Sequence, residues 1–170
     1  MITLLLCCLF VIALPAQAEV SLSQMQILVR ALGFLNNPPT GTITLGIVYS
    51  ASEPGSEQEA NALHTLLDDG LQVGNLYIKS VLVNINDAAN ADVNLFFLTK
   101  HLGAEGRKIL TASQKKQILC VTTDTSAVVN GSCGLGIVSQ PKIQILVNHG
   151  AASSSGASFS TVFNMMITEY

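Results

Sequence analysis

The chain has 170 residues, of which 49% are hydrophobic and only 11% charged, against about 25% charged in an average globular domain. That composition excludes a disordered chain, and 8 Lys plus Arg against 11 Asp plus Glu exclude nucleic-acid binding through a basic surface. A membrane segment stays open until the apolar stretches are located.

The longest of these stretches comes first. Ile2 to Leu14 is almost wholly apolar, Pro15 breaks it, and Ala16-Gln17-Ala18 follows. The run falls short of the roughly 20 residues that span a bilayer. An apolar core, a breaker and a small-x-small triplet predict a secretory signal peptide over residues 1–18, cleaved after Ala18. No Lys or Arg precedes the core, and an uncleaved anchor is the alternative. Residues 19–170 are then expected to form one exported domain. Cys7 and Cys8 leave with the signal, and Cys120 and Cys133 remain. Two cysteines in an exported chain are expected to pair. A reactive pair and free thiols are the alternatives, and a spacing of 13 with no close His or Cys does not suit zinc.

In the mature part, Leu22, Met25, Leu28, Leu32 and Leu35 recur at helical spacing, with Ser21 or Ser23 as cap and Asn36-Asn37-Pro38-Pro39 as stop. Thr42 to Tyr49 is short, β-branched and apolar, and predicts a buried strand. Ser50 to Ser56 is a loop, and Ser56 with Glu59 predicts a capping box opening a helix that ends at Gly70. Strands are predicted at Leu76–Val83, Ala91–Leu98 and Ile118–Thr122, with a short helix within His101–Lys116 and a polar connection or short helix from Asp124 to Gly131. Leu135–Val138 and Ile143–Val147, separated by Ser139-Gln140-Pro141-Lys142, predict a hairpin. Phe159, Val162, Phe163, Met166 and Ile167 fall at i, i+3, i+4, i+7 and i+8, and predict a closing amphipathic helix. This alternation implies a single α/β domain, Rossmann-like or flavodoxin-like: a mainly parallel sheet with helices on both faces, a C-terminal hairpin and a final helix.

Ligands of open α/β sheets sit at the carboxyl ends of strands near a switch point. Ser50, Ser52, Ser56, Thr99, His101, Thr122 and His149 are therefore the candidate ligand or partner residues, and His64 is expected on the surface. The first loop lacks the three-glycine dinucleotide fingerprint and the phosphate-loop lysine, so neither NAD nor ATP is expected as cofactor. No histidine pair has zincin spacing and no serine sits in a nucleophile elbow; no catalytic residue, metal or cofactor is expected. Asp87 and Asp92 are expected in a solvated loop, and Asn130-Gly131-Ser132 matches a glycosylation triplet that short motifs match by chance.

Several segments together resemble the YfiR/HmsC-like family of small exported bacterial proteins: Arg30-Ala31-Leu32-Gly33-Phe34-Leu35, Ala91 to Phe97, Lys108-Ile109-Leu110, Ile118 to Asp124, Ile143 to Asn148 and Gly156 to Ser160. The resemblance implies a non-catalytic periplasmic regulator that binds the periplasmic part of a membrane-bound diguanylate cyclase and restrains it, often with disulfides. Small-ligand binding at the strand ends, near Ser50, Ser52, Thr99 and Thr122, is the alternative function, since the Ser50–Ser56 loop also resembles that of periplasmic solute-binding proteins. So few charges leave a neutral surface, and a homodimer is expected.

Overall fold

The computed structural model describes residues 20–139 and 141–170. The predicted signal peptide and Gln140 of the predicted hairpin turn lie outside the described residues. The fold is one α/β unit around an eight-stranded sheet.

Helix α1 (Leu22–Leu32) starts where predicted. The Gln24 amide donates to Ser21 Oγ at 3.2 Å, and the Ser21 amide donates back to Gln24 Oε1 at 2.8 Å. This reciprocal pair satisfies donors that a helix start leaves free. Strand β1 (Gly41–Tyr49) leads to α2 (Pro54–Leu66), then β2 (Leu71–Val73) and β3 (Leu76–Asn84). β4 (Leu95–Leu98), α3 (Arg107–Lys116), β5 (Cys120–Thr122), α4 (Thr125–Val129) and β6 (Leu135–Val138) follow. The chain closes with β7 (Gln144–Val147), α5 (His149–Ser154), α6 (Thr161–Asn164) and β8 (Thr168–Glu169).

The strand order is β2-β3-β1-β4-β5-β6-β7-β8. β3, β1, β4, β5 and β6 run parallel, β2 lies antiparallel on β3, and β7 lies antiparallel on β6. The parallel core has the doubly wound flavodoxin-like order, which reverses direction between β1 and β4. Side chains of a strand alternate between the two sheet faces, which explains the apolar run at β4. Leu95 and Phe97 join an apolar cluster with α1, α2, α5 and α6, while Phe96 and Leu98 join a second one with α3 and α4. All four are buried. Cys120 and Cys133 are disulfide-bonded within the second cluster, their Cα atoms 4.8 Å apart.

Four predicted elements differ. The closing helix over Phe159–Ile167 is a single short turn, α6. Phe159 and Phe163 stack at 5.0 Å and Phe34 stacks on Phe163 at 4.8 Å, while Val162 and Met166 face solvent and the chain then adds β8 to β7. The strand predicted from Ala91 begins only at Leu95, because the Asn94 side chain accepts the Thr44 amide at 2.9 Å in place of a ladder bond. Ile118 and Leu119 precede β5 rather than belonging to it. The predicted Ser56–Glu59 capping box does not form: α2 begins at Pro54, and both side chains point to the loop after β4. β2, three residues long, was not foreseen.

Candidate functional site

The loops that follow β1, β4 and β5 meet at the sheet's carboxyl edge, beside the switch point. Hydroxyl groups tie them together. Ser56 Oγ, on α2, accepts the Ser50 amide at 3.1 Å and lies 2.6 Å from Thr99 Oγ1. The Thr99 hydroxyl lies 2.9 Å from the Val48 carbonyl, and Thr122 Oγ1 donates to the Leu98 carbonyl at 2.8 Å. Ser56, Thr99 and Thr122 are thus buried and already partnered; they brace the edge.

Ser50 and Ser52 hold a carboxylate of the chain itself. Ser50 Oγ donates to Glu105 Oε2 at 2.6 Å, and Ser52 Oγ lies 2.7 Å from Ser50 Oγ and 3.3 Å from the same carboxylate oxygen. The other oxygen of Glu105 accepts from Lys108 Nζ at 2.9 Å. The Ser50 hydroxyl, then the Lys108 ammonium, hold the Glu105 carboxyl below its ordinary pKa. These bonds tether the 3₁₀ turn Gly103–Gly106 to the loop after β1.

Glu59 enters from α2. Its Oε2 accepts the Lys100 amide at 2.6 Å, and its Oε1 is buried without a partner among the described residues. Burial pushes its carboxyl above the ordinary carboxylate pKa; the Lys100 amide opposes the shift and the nearby Asp124 charge adds to it. His101 adopts φ 67°, a left-handed conformation unusual for a residue with a Cβ, and its ring lies over Gly55.

A cavity of about 330 Å³ opens between the Leu102–Arg107 segment and α4, with Leu98 and Thr99 of the β4 end in its wall. Arg107 and Asp124 both line it. The Arg107 guanidinium has no hydrogen bond or ion pair among the described residues, and Asp124 Oδ1 caps α4 by accepting the Ser126 amide at 2.9 Å. Ser132, 1% exposed, also lines the cavity, and its hydroxyl has no partner among the described residues. A buried hydroxyl without a partner is costly, about 1–3 kcal/mol. Two further hollows, of about 200 and 440 Å³, lie elsewhere: beside Ile43, Gln117 and Gly156, and beside Arg30, Pro39 and Leu76. Neither touches the carboxyl ends of the parallel strands.

Ser50, Ser52, Ser56, Thr99, His101 and Thr122 are therefore brought to one edge, as expected. His149 is not. It follows β7, which is antiparallel to β6, with Val147 opposite Leu135 at the start of β6. His149 therefore sits at the opposite edge, where its Nε2 lies 3.2 Å from Glu169 Oε1. His64 lies 2.8 Å from Ser80 Oγ on the outer part of the sheet. Glu59, Glu105, Arg107 and Ser132 were missed as site residues. An exposed cation opening an amphipathic helix carries no distinguishing pattern, and Ser132 was legible only as the end of the Asn130-Gly131-Ser132 triplet. Among the described residues no group of three or more His, Cys, Asp or Glu could hold a metal ion, and no helix is long and apolar enough to cross a membrane.

No family model matches the sequence, and no curated protein matches it. Solved structures do resemble the fold. An ABC domain from Streptococcus pneumonia in complex with L-Trp superposes with a TM-score of 0.59 at 14% identity, covering 86% of this chain and 60% of that one. A conserved domain protein from Vibrio cholerae superposes with a TM-score of 0.58 at 10% identity, covering 89% of this chain and 61% of that one. At such identities the likeness is one of fold, and this chain spans about three fifths of the length of either protein.

Proposed function

We propose that the protein is a small-ligand binding domain that takes its solute in the cavity at the carboxyl ends of β4 and β5. The observation that carries this reading is the cavity itself. It is lined by Ser132, whose buried hydroxyl has no partner among the described residues, and by Arg107, whose guanidinium likewise has none among them. Its volume of about 330 Å³ falls at the small end of the roughly 300–1,000 Å³ typical of ligand pockets. The similar ABC domain in complex with L-Trp supports the same reading. The test is a thermal-shift screen of amino acids, small carboxylates and nucleobases. A ligand at about 100 times its Kd adds about 2.7 kcal/mol, and each kcal/mol raises Tm by about 2–4 °C in a domain of this size. Ala104→Trp, on the exposed turn at the cavity mouth, should abolish the shift. No shift from any compound would contradict the reading.

The second reading is the one implied by the YfiR/HmsC-like resemblance: a periplasmic regulator that restrains a membrane-bound signalling protein. The Cys120–Cys133 disulfide favours an oxidising, exported location. Exposed Val162, Met165 and Met166 offer apolar surface for a partner or a second copy of the chain. Co-purification with a membrane-bound diguanylate cyclase, lost on Met165→Glu, would support the regulator; cyclase activity indifferent to added protein would contradict it.

A further inference from the structure

We propose that the cavity recognises an α-amino acid as a zwitterion, its carboxylate on Arg107 and its ammonium group on Asp124; the proposal rests on the ligand-binding reading above. The two side chains bring opposite charges to one cavity from separate elements, the start of α3 and the cap of α4. The Arg107 guanidinium is planar, carries five donors and has no partner among the described residues. That fork matches the two oxygens of a carboxylate. Asp124 spends one oxygen, Oδ1, on the Ser126 amide and hydroxyl at 2.9 and 2.7 Å. Oδ2 remains to accept from an ammonium group. Glu59 is close enough to Asp124 for their charges to interact, and the Lys100 charge beside Glu59 offsets its own.

The charge count selects against the simpler ions. A phosphate or dicarboxylate on Arg107 would bring a second negative charge toward Asp124. A diamine would bring a second positive charge toward Arg107. A zwitterion meets both. Ser132, whose buried hydroxyl has no partner among the described residues, lines the same cavity. Leu98, Leu102 and Ala127 give the side chain an apolar wall. About 330 Å³ is some eleven times the roughly 30 Å³ share of one water in the liquid, room for an amino acid with an apolar side chain.

The experiment is calorimetric titration of the full domain. The twenty standard L-amino acids are screened first, with nucleobases, simple sugars and dicarboxylates in the same panel. The best amino acid is then compared with its carboxamide, which lacks the carboxylate, and its N-acetyl form, which lacks the ammonium group. Proteins are the wild type, Arg107→Gln and Asp124→Asn, the last keeping a capping side chain on α4. The free amino acid should bind at least about tenfold more tightly than either blocked form, since hydrogen bonds to charged groups are the strong ones. Arg107→Gln should weaken the free acid to the level of its amide and leave the amide unchanged. Asp124→Asn should do the same for the ammonium group and the N-acetyl form. Blocked forms that bind as well as the parent, or an Arg107→Gln loss shared equally by acid and amide, would overturn the assignment. Binding of a nucleobase, sugar or dicarboxylate with no amino acid bound would also overturn it, while leaving the ligand-binding reading standing. A panel with no binder at all would overturn both.

Discussion

Reducing the Cys120–Cys133 disulfide should destabilise the domain and loosen the cavity together. The bond joins residues 13 apart in sequence. In the chain-entropy model, a closed loop of about that length restrains the unfolded chain by about 3 kcal/mol. Both cysteines are buried beside Phe96, Leu98 and Ile109, so the reduced thiols keep most of their packing and the loop term dominates. Three kcal/mol is a large share of the roughly 5–15 kcal/mol of a typical domain. At about 2–4 °C per kcal/mol, Tm should fall by about 6–12 °C. Cys133 directly follows Ser132, and the bond pins this segment to β5. The reduced protein should therefore also bind the proposed ligand more weakly. The assay is calorimetry with and without a phosphine reductant, with thiols counted after denaturation. Two thiols gained on reduction with an unchanged Tm would refute the argument.

Gly136→Ala should cost about 1–3 kcal/mol in chemical denaturation, the usual range for overpacking. A Cβ there would meet Val128 Cγ2 at 2.5 Å and push α4, which lines the cavity. A variant as stable as the wild type would contradict the packing described. Glu59→Gln should show a pH-dependent gain. The native carboxyl titrates above its unfolded value, so the folded state holds more protons between the two pKa values, and wild-type stability falls as pH rises through that window. Gln carries no such term. The variant's stability relative to wild type should rise from pH 4.5 upward and then level off, as measured by denaturant melts across pH. A difference that is flat with pH would contradict the burial of Glu59.

Much of the fold was legible because burial on both sheet faces leaves uninterrupted apolar strands. The β1 and β4 segments carry that signature, and Ser21 or Ser23 as cap marks the start of the first helix. Two misreadings share one cause: a local pattern fitted more than one three-dimensional partner. Phe159 and Phe163 have helical spacing, yet both serve the aromatic stack with Phe34 while Val162 and Met166 face water. Ser56 and Glu59 have capping-box spacing, yet their partners are Thr99 and the Lys100 amide, more than 40 residues away. The site was legible in part. The rule that ligands gather at strand carboxyl ends located Ser50 and Thr99, but it misplaced His149, because the reversal of β7 sends its end to the other edge. Arg107 and Ser132 acquire meaning only from the cavity that brings them together.

The most direct test of the central claim is an amide NMR titration of the ¹⁵N-labelled domain with the tightest-binding amino acid. The account predicts saturable shifts centred on Thr99, Leu102–Arg107 and Asp124–Ser132, absent in Arg107→Gln. Shifts centred instead on Gln117 and Ser155–Ser158, which line the smaller hollow at the far end of the sheet, would contradict it.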